Sequence, residues 1–512
     1  RATVEQLVKR LDVLPLAIEL AAARIRMFSP ATLLERLDDR LSLLSQRTTG
    51  IPERQRTLRG AIEWSYELLT TTEQATLAGL SVFAGGFGLD AAERVLGGSQ
   101  VLDDIESLLD RSLLLAEPRT GGQRYRMLES IRHFAADVLA RAPERQERLR
   151  EAHADHYARI APEIGARVRD GDESMALAVT EAEHDNMRAA IDWSLAHDAP
   201  ALGMRIAASM WRAWMHRSHL TESRQQLERL LAHPRTGDEP VVQGQALLAL
   251  GGVCFWLGDL DAAHRLYLEA AEVAQAAGDR RGRASALLDL SYTLTARGEP
   301  AVAADALAEA LDVFIALGDR DQAHRARGAL VNVRVKAGDL DTAAGEIEVL
   351  LDEARATGRD WQVVDRLGMA VVVAVLRGDT AMARDHLREM RGRRIAISDA
   401  RMSSALEIGA MVALAEGDPR WAARWLGTLQ RLQDDGEGIM VASEFMGISS
   451  PEPETREQLA DDFDVYFEAG RTLTLEAAAA EIFQDPAERG DPAALSSAVA
   501  GDDVHAPPDD PM

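Results

Sequence analysis

The sequence predicts a mainly α-helical protein in which a small helical module with a β-hairpin precedes an α-solenoid. Three observations predict it. Glycine recurs at twenty-residue steps through the middle of the chain, at Gly258, Gly278, Gly298, Gly318, Gly338, Gly358 and Gly378, with Gly417 one residue early for the next double step. The stretches between these glycines are rich in alanine and carry apolar residues at helical period. Ahead of them, a run of short helical patterns ends in two strand-like segments around Gly121 and Gly122. Fixed spacing of this kind means that one helical hairpin of about forty residues is copied and that each copy buries its apolar face only against its neighbours.

From the front, residues 4–26 read as an amphipathic helical segment interrupted at Pro15, and Ser29-Pro30 opens a second one that runs to about Leu44. Helices are expected over 58–69, 72–83 and 89–96, with Thr72 as a cap and Gly85-Gly86 as a break. A helix over 101–110 is followed by strands at 113–117 and 125–128, which is the element order of a winged helix. A winged helix reads DNA through a basic helix, whereas residues 101–110 carry Asp103, Asp104, Glu106 and Asp110 and no basic residue. Direct DNA contact by this module is not expected.

In the middle, each glycine ends one helix in a left-handed conformation, and the Asp or Glu that usually follows caps the next. Gly251, Gly258, Ala263, Tyr267 and Ala270 stand at the small, turn, small, large and small positions of a tetratricopeptide (TPR) repeat, and this copy resembles that family. At successive forty-residue steps the place of Gly251 is taken by Ser291, Val331 and Val371, while Ala303, Ala343 and Ala383 hold the place of Ala263. One step back lies Ser218, so at least one divergent helical pair is expected before the regular copies. The fold class is therefore mainly α, a winged-helix module followed by a TPR-like α-solenoid. Domain bounds are set at 1–50 for an incomplete helical subdomain, 51–145 for the winged helix and 146–235 for linker helices and divergent repeats. The solenoid follows at 236–435, a helical cap at 436–484 and a disordered acidic tail at 485–512.

Charge restricts the partners. The net charge is −26, yet residues 1–150 carry 21 basic against 21 acidic side chains, so the whole acidic excess lies beyond them. An acidic solenoid repels phosphate backbones, and its expected partner is a protein or peptide. The single cysteine, Cys254, excludes a disulfide framework and is expected to be buried and inert. The longest apolar run, 369–376, is far short of the roughly 20 residues a spanning helix needs, so a cytoplasmic protein without a membrane partner is expected. His153 and His156 stand three apart on a helix, but no further ligand stands at metal spacing, and they are expected at the surface. Trp211/Trp214, Phe255/Trp256 and Trp421/Trp425 are expected to pack between repeats, with some lining the concave face. No catalytic site is expected.

Several strings carry a family resemblance. Residues 14–20 (LPLAIEL), 58–66 (LRGAIEWSY), 80–87 (LSVFAGGF) and 125–129 (YRMLE) resemble the C-terminal part of the NB-ARC module of STAND-class ATPases, in the version found in large actinobacterial transcriptional regulators of LuxR-type or cyclase-linked architecture. Residues 184–190 (HDNMRAA) and 467–476 (FEAGRTLTLE) are similar to the same regulators. In that family a nucleotide sits between a P-loop subdomain, a helical subdomain with a Gly-Leu-Pro-Leu motif and a winged helix with Met-His-Asp. The resemblance implies that Pro15 and Leu128 are remnants of that pocket, and that ATP or ADP is bound only with an upstream nucleotide-binding domain. Val13 replaces the first glycine, Leu128-Glu129 stand where His-Asp would be, and the only lysines are Lys9 and Lys336, neither in a Gly-Lys-Ser/Thr loop. The chain is therefore not expected to be an enzyme by itself, and its start at Arg1 is expected to be a cut in a longer polypeptide. The implied function is the sensor portion of a signalling ATPase that regulates transcription, with the winged helix as a lid on nucleotide state. The alternative is a constitutive TPR scaffold with a vestigial ATPase remnant.

Overall fold

The computed structural model describes residues 58–490 and Pro492, apart from 99, 120–121, 171–172, 216–218, 392, 394–398, 435–440 and 485–488, together with Thr3, Gln6 and Ser29. Apart from Gln6, the expected helices at 4–26 and 30–44, Pro15 among them, and Ser218 lie outside the described residues. The chain divides into two compact units, the first formed by residues 1–164 and 175–206 and the second by 165–174 and 207–512.

The first unit begins with α1 (Leu58–Glu67) and α2 (Thr71–Leu80), continues through β1 (Phe87–Gly88), α3 (Leu89–Leu96) and α4 (Val101–Asp110), and closes with β2 (Leu115–Arg119) and β3 (Gly122–Arg126). Helices α5 (Glu129–Leu139), α6 (Pro143–Asp170) and α7 (Glu173–Ala196) follow. The sheet is antiparallel in the order β1-β3-β2, with Phe87 opposite Tyr125 and Ala116 also opposite Tyr125. This is a winged helix, with α3 and α4 at the expected positions. Four local readings change. The cap of α2 is Thr70, not Thr72, because Thr70 Oγ1 accepts from Glu73 N at 3.3 Å while Glu73 Oε2 accepts from Thr70 N at 2.7 Å, closing a capping box. The hairpin strands start and end a few residues away from 113–117 and 125–128. The two-residue strand β1 has no alternating pattern from which to read it. Leu128, placed on a strand by the sequence, is instead the N-cap of α5.

The second unit opens with α8 (Pro200–Met215), most of which belongs to it, and α9 (Leu220–Leu231), the divergent pair expected before the regular copies. Five hairpins then follow: α10 (Pro240–Trp256) with α11 (Leu260–Ala276), α12 (Arg280–Ala296) with α13 (Pro300–Ala316), α14 (Arg320–Lys336) with α15 (Leu340–Thr357), α16 (Asp360–Leu376) with α17 (Thr380–Arg391), and α18 (Asp399–Ala415) with α19 (Pro419–Asp434). Four short helices end the unit, α20 (Ala442–Met446), α21 (Glu452–Leu459), α22 (Phe463–Arg471) and α23 (Leu475–Ile482).

All eight periodic glycines have positive φ, between 68° and 79°. At the first of them, Gly258 N donates to Phe255 O and Asp259 N to Cys254 O, the crossed pair that ends a helix in a left-handed residue. The acidic residue after the glycine caps the next helix at Asp259, Asp279, Asp319 and Asp379. It does not do so at Glu299, whose longer side chain makes no cap bond, or at Asp339, which lies 3.8 Å from Arg334. The repeat positions pack as the spacing requires. Ala263, Ala303, Ala343 and Ala383 are fully buried at the crossing of each pair, as are Ser291, Val331 and Val371. A Cβ on Gly251 would lie 2.6 Å from the Tyr267 ring, which is why the best-preserved copy has a glycine there.

Residues 489–492 were expected to lie in a disordered tail, but Arg489, Gly490 and Pro492 are placed in the structure. Arg489 stacks 4.9 Å over the Trp425 ring, and Pro492 O accepts from Arg424 Nη1 at 3.0 Å. The lone cation of an acidic segment finds an aromatic face there, a contact that composition does not encode.

Candidate functional site

In the first unit the resemblance strings around residues 80–87 and 184–190 meet. The Gly85-Gly86 break turns the chain into β1, and Gly86 has φ +88°, with a Cβ position only 2.8 Å from Tyr125 O. Asn186 of α7, completely buried, reads this turn with both ends of its amide: Oδ1 accepts from Ala84 N and Nδ2 donates to Gly86 O, each at 2.8 Å. Nδ2 also donates to Glu183 Oε2 at 2.9 Å, and Tyr157 Oη of α6 donates to the same oxygen at 2.7 Å. Arg124 of β3 pairs with Glu183 and donates to Ala182 O at 2.8 Å. With these donors gathered on it, the Glu183 carboxylate fastens the wing and α6 to α7, and Asn186 joins the glycine turn to the same cluster.

His153 completes the cluster, 3.4 Å from Asn186 Oδ1 and edge-on to Phe83. It is 3% exposed and His156 is 6% exposed, so the expected surface histidines are interior. Both stand on the one face of α6 that is covered, with Ala154, Tyr157 and Ala161, while Asp155, Arg159 and Glu163 face solvent; a spacing of three does not reveal which face that is. Burial pushes the His153 imidazole down to about 4, and it lowers that of His156 as well. Burial, then the Glu183 charge, raises the Tyr157 hydroxyl well above its ordinary range and keeps it a donor.

Leu128 is half-buried and precedes α5 without a side-chain cap bond. Glu129 occupies the first turn and pairs with Arg132 at 2.8 Å. An apolar cap followed by a carboxylate offers a phosphate neither a side-chain donor nor a favourable charge. Helix α4 exposes Leu102, Asp103, Glu106 and Asp110, the acidic face expected from its sequence.

In the second unit, α10 packs on α12, α12 on α14 and α16 on α18 as well as on their own hairpin partners. The first helices of successive pairs thus approach one another and form the inner side of the array, where a partner is usually met. Their C-terminal halves are buried on nearly every face; in α12, Ala286 through Thr295 are all buried. An ion pair lies within this row, Arg325 Nη2 to Asp289 Oδ1 at 2.5 Å, with the Arg325 guanidinium 5.8 Å over Tyr292. Nearby, the Arg366 guanidinium rests against Gly328, where a Cβ would lie 1.9 Å from its Nη1. Asn332, one turn beyond Gly328, is 2% exposed, and neither end of its amide has a hydrogen-bond partner among the described residues.

Of the aromatic pairs, Trp211/Trp214 and Trp421/Trp425 are core: the Trp211 ring lies 2.6 Å from a Cβ position on Gly252, and Trp421 and Trp425 are both 1% exposed. Phe255 and Trp256 sit on the inner side with Tyr292, where all three meet Phe445 of α20. Cys254 is buried, and burial raises its thiol to about 11, which leaves it a neutral packing group as expected. Sequence reasoning did not single out Glu183, Tyr157 or Phe445, because each acts through a partner distant along the chain.

The two modules define the class of chain. Residues 56–140 match a winged helix-turn-helix domain model and residues 243–316 a tetratricopeptide repeat model. Similar proteins include one from Mycobacterium tuberculosis, provisionally named an HTH-type transcriptional regulator, which is 34% identical over 332 residues, covering 62% of this chain and 37% of its own length. A Mycobacterium bovis protein with the same provisional name gives the same figures. The chain thus spans 37% of the length of these curated relatives. Among solved structures, a signal transduction ATPase with numerous domains and a tetratricopeptide repeat sensor from Pyrococcus horikoshii is 15% identical with a TM-score of 0.35, covering 89% of this chain and 75% of that one. Among the described residues, no helix is long and apolar enough to cross a membrane.

Proposed function

We propose that this chain is the regulatory portion of a STAND-class signalling ATPase that acts in transcription. In this reading the solenoid binds a protein or peptide effector, and the winged helix serves as a lid that responds to nucleotide held by an upstream domain. The observation that carries the reading is the acidic outer face of α4 on a module whose relatives bear the names of transcriptional regulators: Asp103, Glu106 and Asp110 oppose phosphate contact, so the module is better suited to packing on protein than to reading DNA. An effector would act only through a difference in affinity between two arrangements of the longer protein. ATP hydrolysis is not assigned to this chain, which has no Gly-Lys-Ser/Thr loop.

Titration with a fluorescent ADP analogue tests the proposal, using this chain and a polypeptide extended upstream to include a P-loop domain. Binding is expected only in the extended form. No binding in either form would leave the constitutive scaffold as the reading. A labelled duplex of mixed sequence, titrated with the chain at about 0.15 M salt, is expected to show no shift in anisotropy.

A further inference from the structure

The inner side of the array is already in use. Val441 to Ile448 fold back onto it, so that α20 packs on α12, α14 and α18, the first helices of three repeats. Phe445 is the anchor: its ring lies 4.8 Å from Tyr292, 6.4 Å from Phe255 and 6.5 Å from Trp256, the last in a stacked arrangement. Ala442 and Met446 join the apolar cluster of Val331, Val335, Met369 and Val412. The backbone is held too. Lys336 Nζ donates to Gly447 O at 2.5 Å, and Glu407, 1% exposed, accepts from Ser443 N at 2.7 Å and from Ser443 Oγ at 2.5 Å.

These are the contacts of a bound peptide: an aromatic in an aromatic socket, flanking apolar side chains, and main-chain groups read by a lysine and a carboxylate. The segment itself is a single turn of helix ended by Gly447 in the left-handed conformation, too short to be stable without the surface beneath it.

We infer that residues 441–448 are a built-in occupant of a peptide-binding surface formed by α10, α12, α14 and α18, and that an effector peptide carrying an aromatic on a short helical turn binds by displacing them. This rests on the reading of the solenoid as the effector-binding element and names the chemistry of the effector. The segment holds the surface at the high effective concentration of a tethered ligand, which sets a threshold for the free one. Leaving also frees the three repeats that the segment joins, so occupancy by a free peptide is linked to the mobility of the array.

The test uses the full chain and a fluorescein-labelled peptide of residues 441–450. Two variants alter only the occupant and leave the surface intact: Phe445→Ala removes the anchor, and Gly447→Val strains the turn at φ +64°, where an added Cβ meets nothing closer than 3.5 Å. Both are expected to bind the peptide at least about tenfold more tightly than the wild-type chain. Adding Trp256→Ala to either is expected to abolish the gain. Hydrogen exchange of the Phe445 and Ile448 amides, bonded to Val441 O and Ser443 O, is expected to speed up when saturating peptide is added to the wild-type chain. Equal affinity in the wild type and both variants, with unchanged circular dichroism, overturns the inference. If the gain is seen but peptide has no effect on nucleotide affinity in the extended protein, the displacement stands and the sensor reading falls.

Discussion

At the scale of single residues, the groups with the largest energetic consequence are buried polar ones. His153 is held near 4, below its ordinary value of 6.5, so the unfolded chain takes up a proton first as pH falls. The stability it contributes is complete above about pH 6.5 and is lost as pH falls through the interval down to about 4, a change of about 3 kcal/mol in total. Chemical denaturation at pH 7 and pH 4.5 is expected to show this loss in the transition reporting the first unit, and His153→Gln to reduce it; an unchanged pH dependence would refute the assignment. Arg424, 1% exposed, meets Glu481 at 3.0 Å, and Glu481→Ala is expected to cost about 3 kcal/mol or more by leaving a buried guanidinium unpaired, read as a lowered denaturation midpoint. Little of this was visible beforehand. A histidine pair at i and i+3 fits a surface or an interior equally well, and Glu183 is one of 83 acidic residues until Tyr157, Asn186 and Arg124 are seen around it. Cys254 was legible because a lone thiol between Val253 and Phe255 in an apolar helix has one natural environment.

At the scale of elements, glycine does two different jobs. Gly338 ends α14 at φ +79° with open space where a Cβ would stand, so Gly338→Ala is expected to cost only about 1 kcal/mol of backbone strain. In α19 and α22 the glycines face each other: a Cβ on Gly427 would lie 1.9 Å from Phe467 O, and one on Gly470 would lie 1.8 Å from Arg424 O. Since those neighbours are backbone, the two helices must separate, and Gly470→Ala is expected to cost about 3 kcal/mol or more. Thermal melts of the two variants check the order, and equal shifts would contradict it. The turn glycines were legible from spacing alone, because a strict period is a property of the sequence. Gly470 is legible only as part of the segment 467–476, because its reason, a close approach of two helices, joins elements distant along the chain. The cap lies at Thr70, two residues before the Thr72 that the sequence suggests, because Thr70, Thr71 and Thr72 offer the same hydroxyl in a row and the geometry of Glu73 decides among them.

For the whole molecule, the acidic excess beyond residue 150 sets the response to salt. Exposed Arg–Asp pairs link successive repeats, as in Arg281–Asp319 at 2.7 Å and Arg359–Asp321 at 3.1 Å, but such pairs contribute at most about 1 kcal/mol each. Self-repulsion from a net charge of −26 outweighs what salt takes from them, so the melting temperature is expected to rise between about 10 mM and 200 mM sodium chloride. A fall over that range would show that the inter-repeat pairs dominate. The order of modules was legible at this scale, since helical period, a glycine lattice and a hairpin signal are each local. The return of residues 441–448 to the inner side was not, because the sequence there shows a short apolar stretch of the kind any cap would have.

The glycine lattice also makes the array modular in a literal sense. Gly278-Asp279 and Gly318-Asp319 are the same joint one unit apart, and excising residues 279–318 would splice Gly278 to Asp319 without altering the turn. The shortened array would keep its stacking rule but lose Tyr292, so duplication and loss of units in such a gene can tune the repeat number freely only where no distant strap has come to depend on a particular unit.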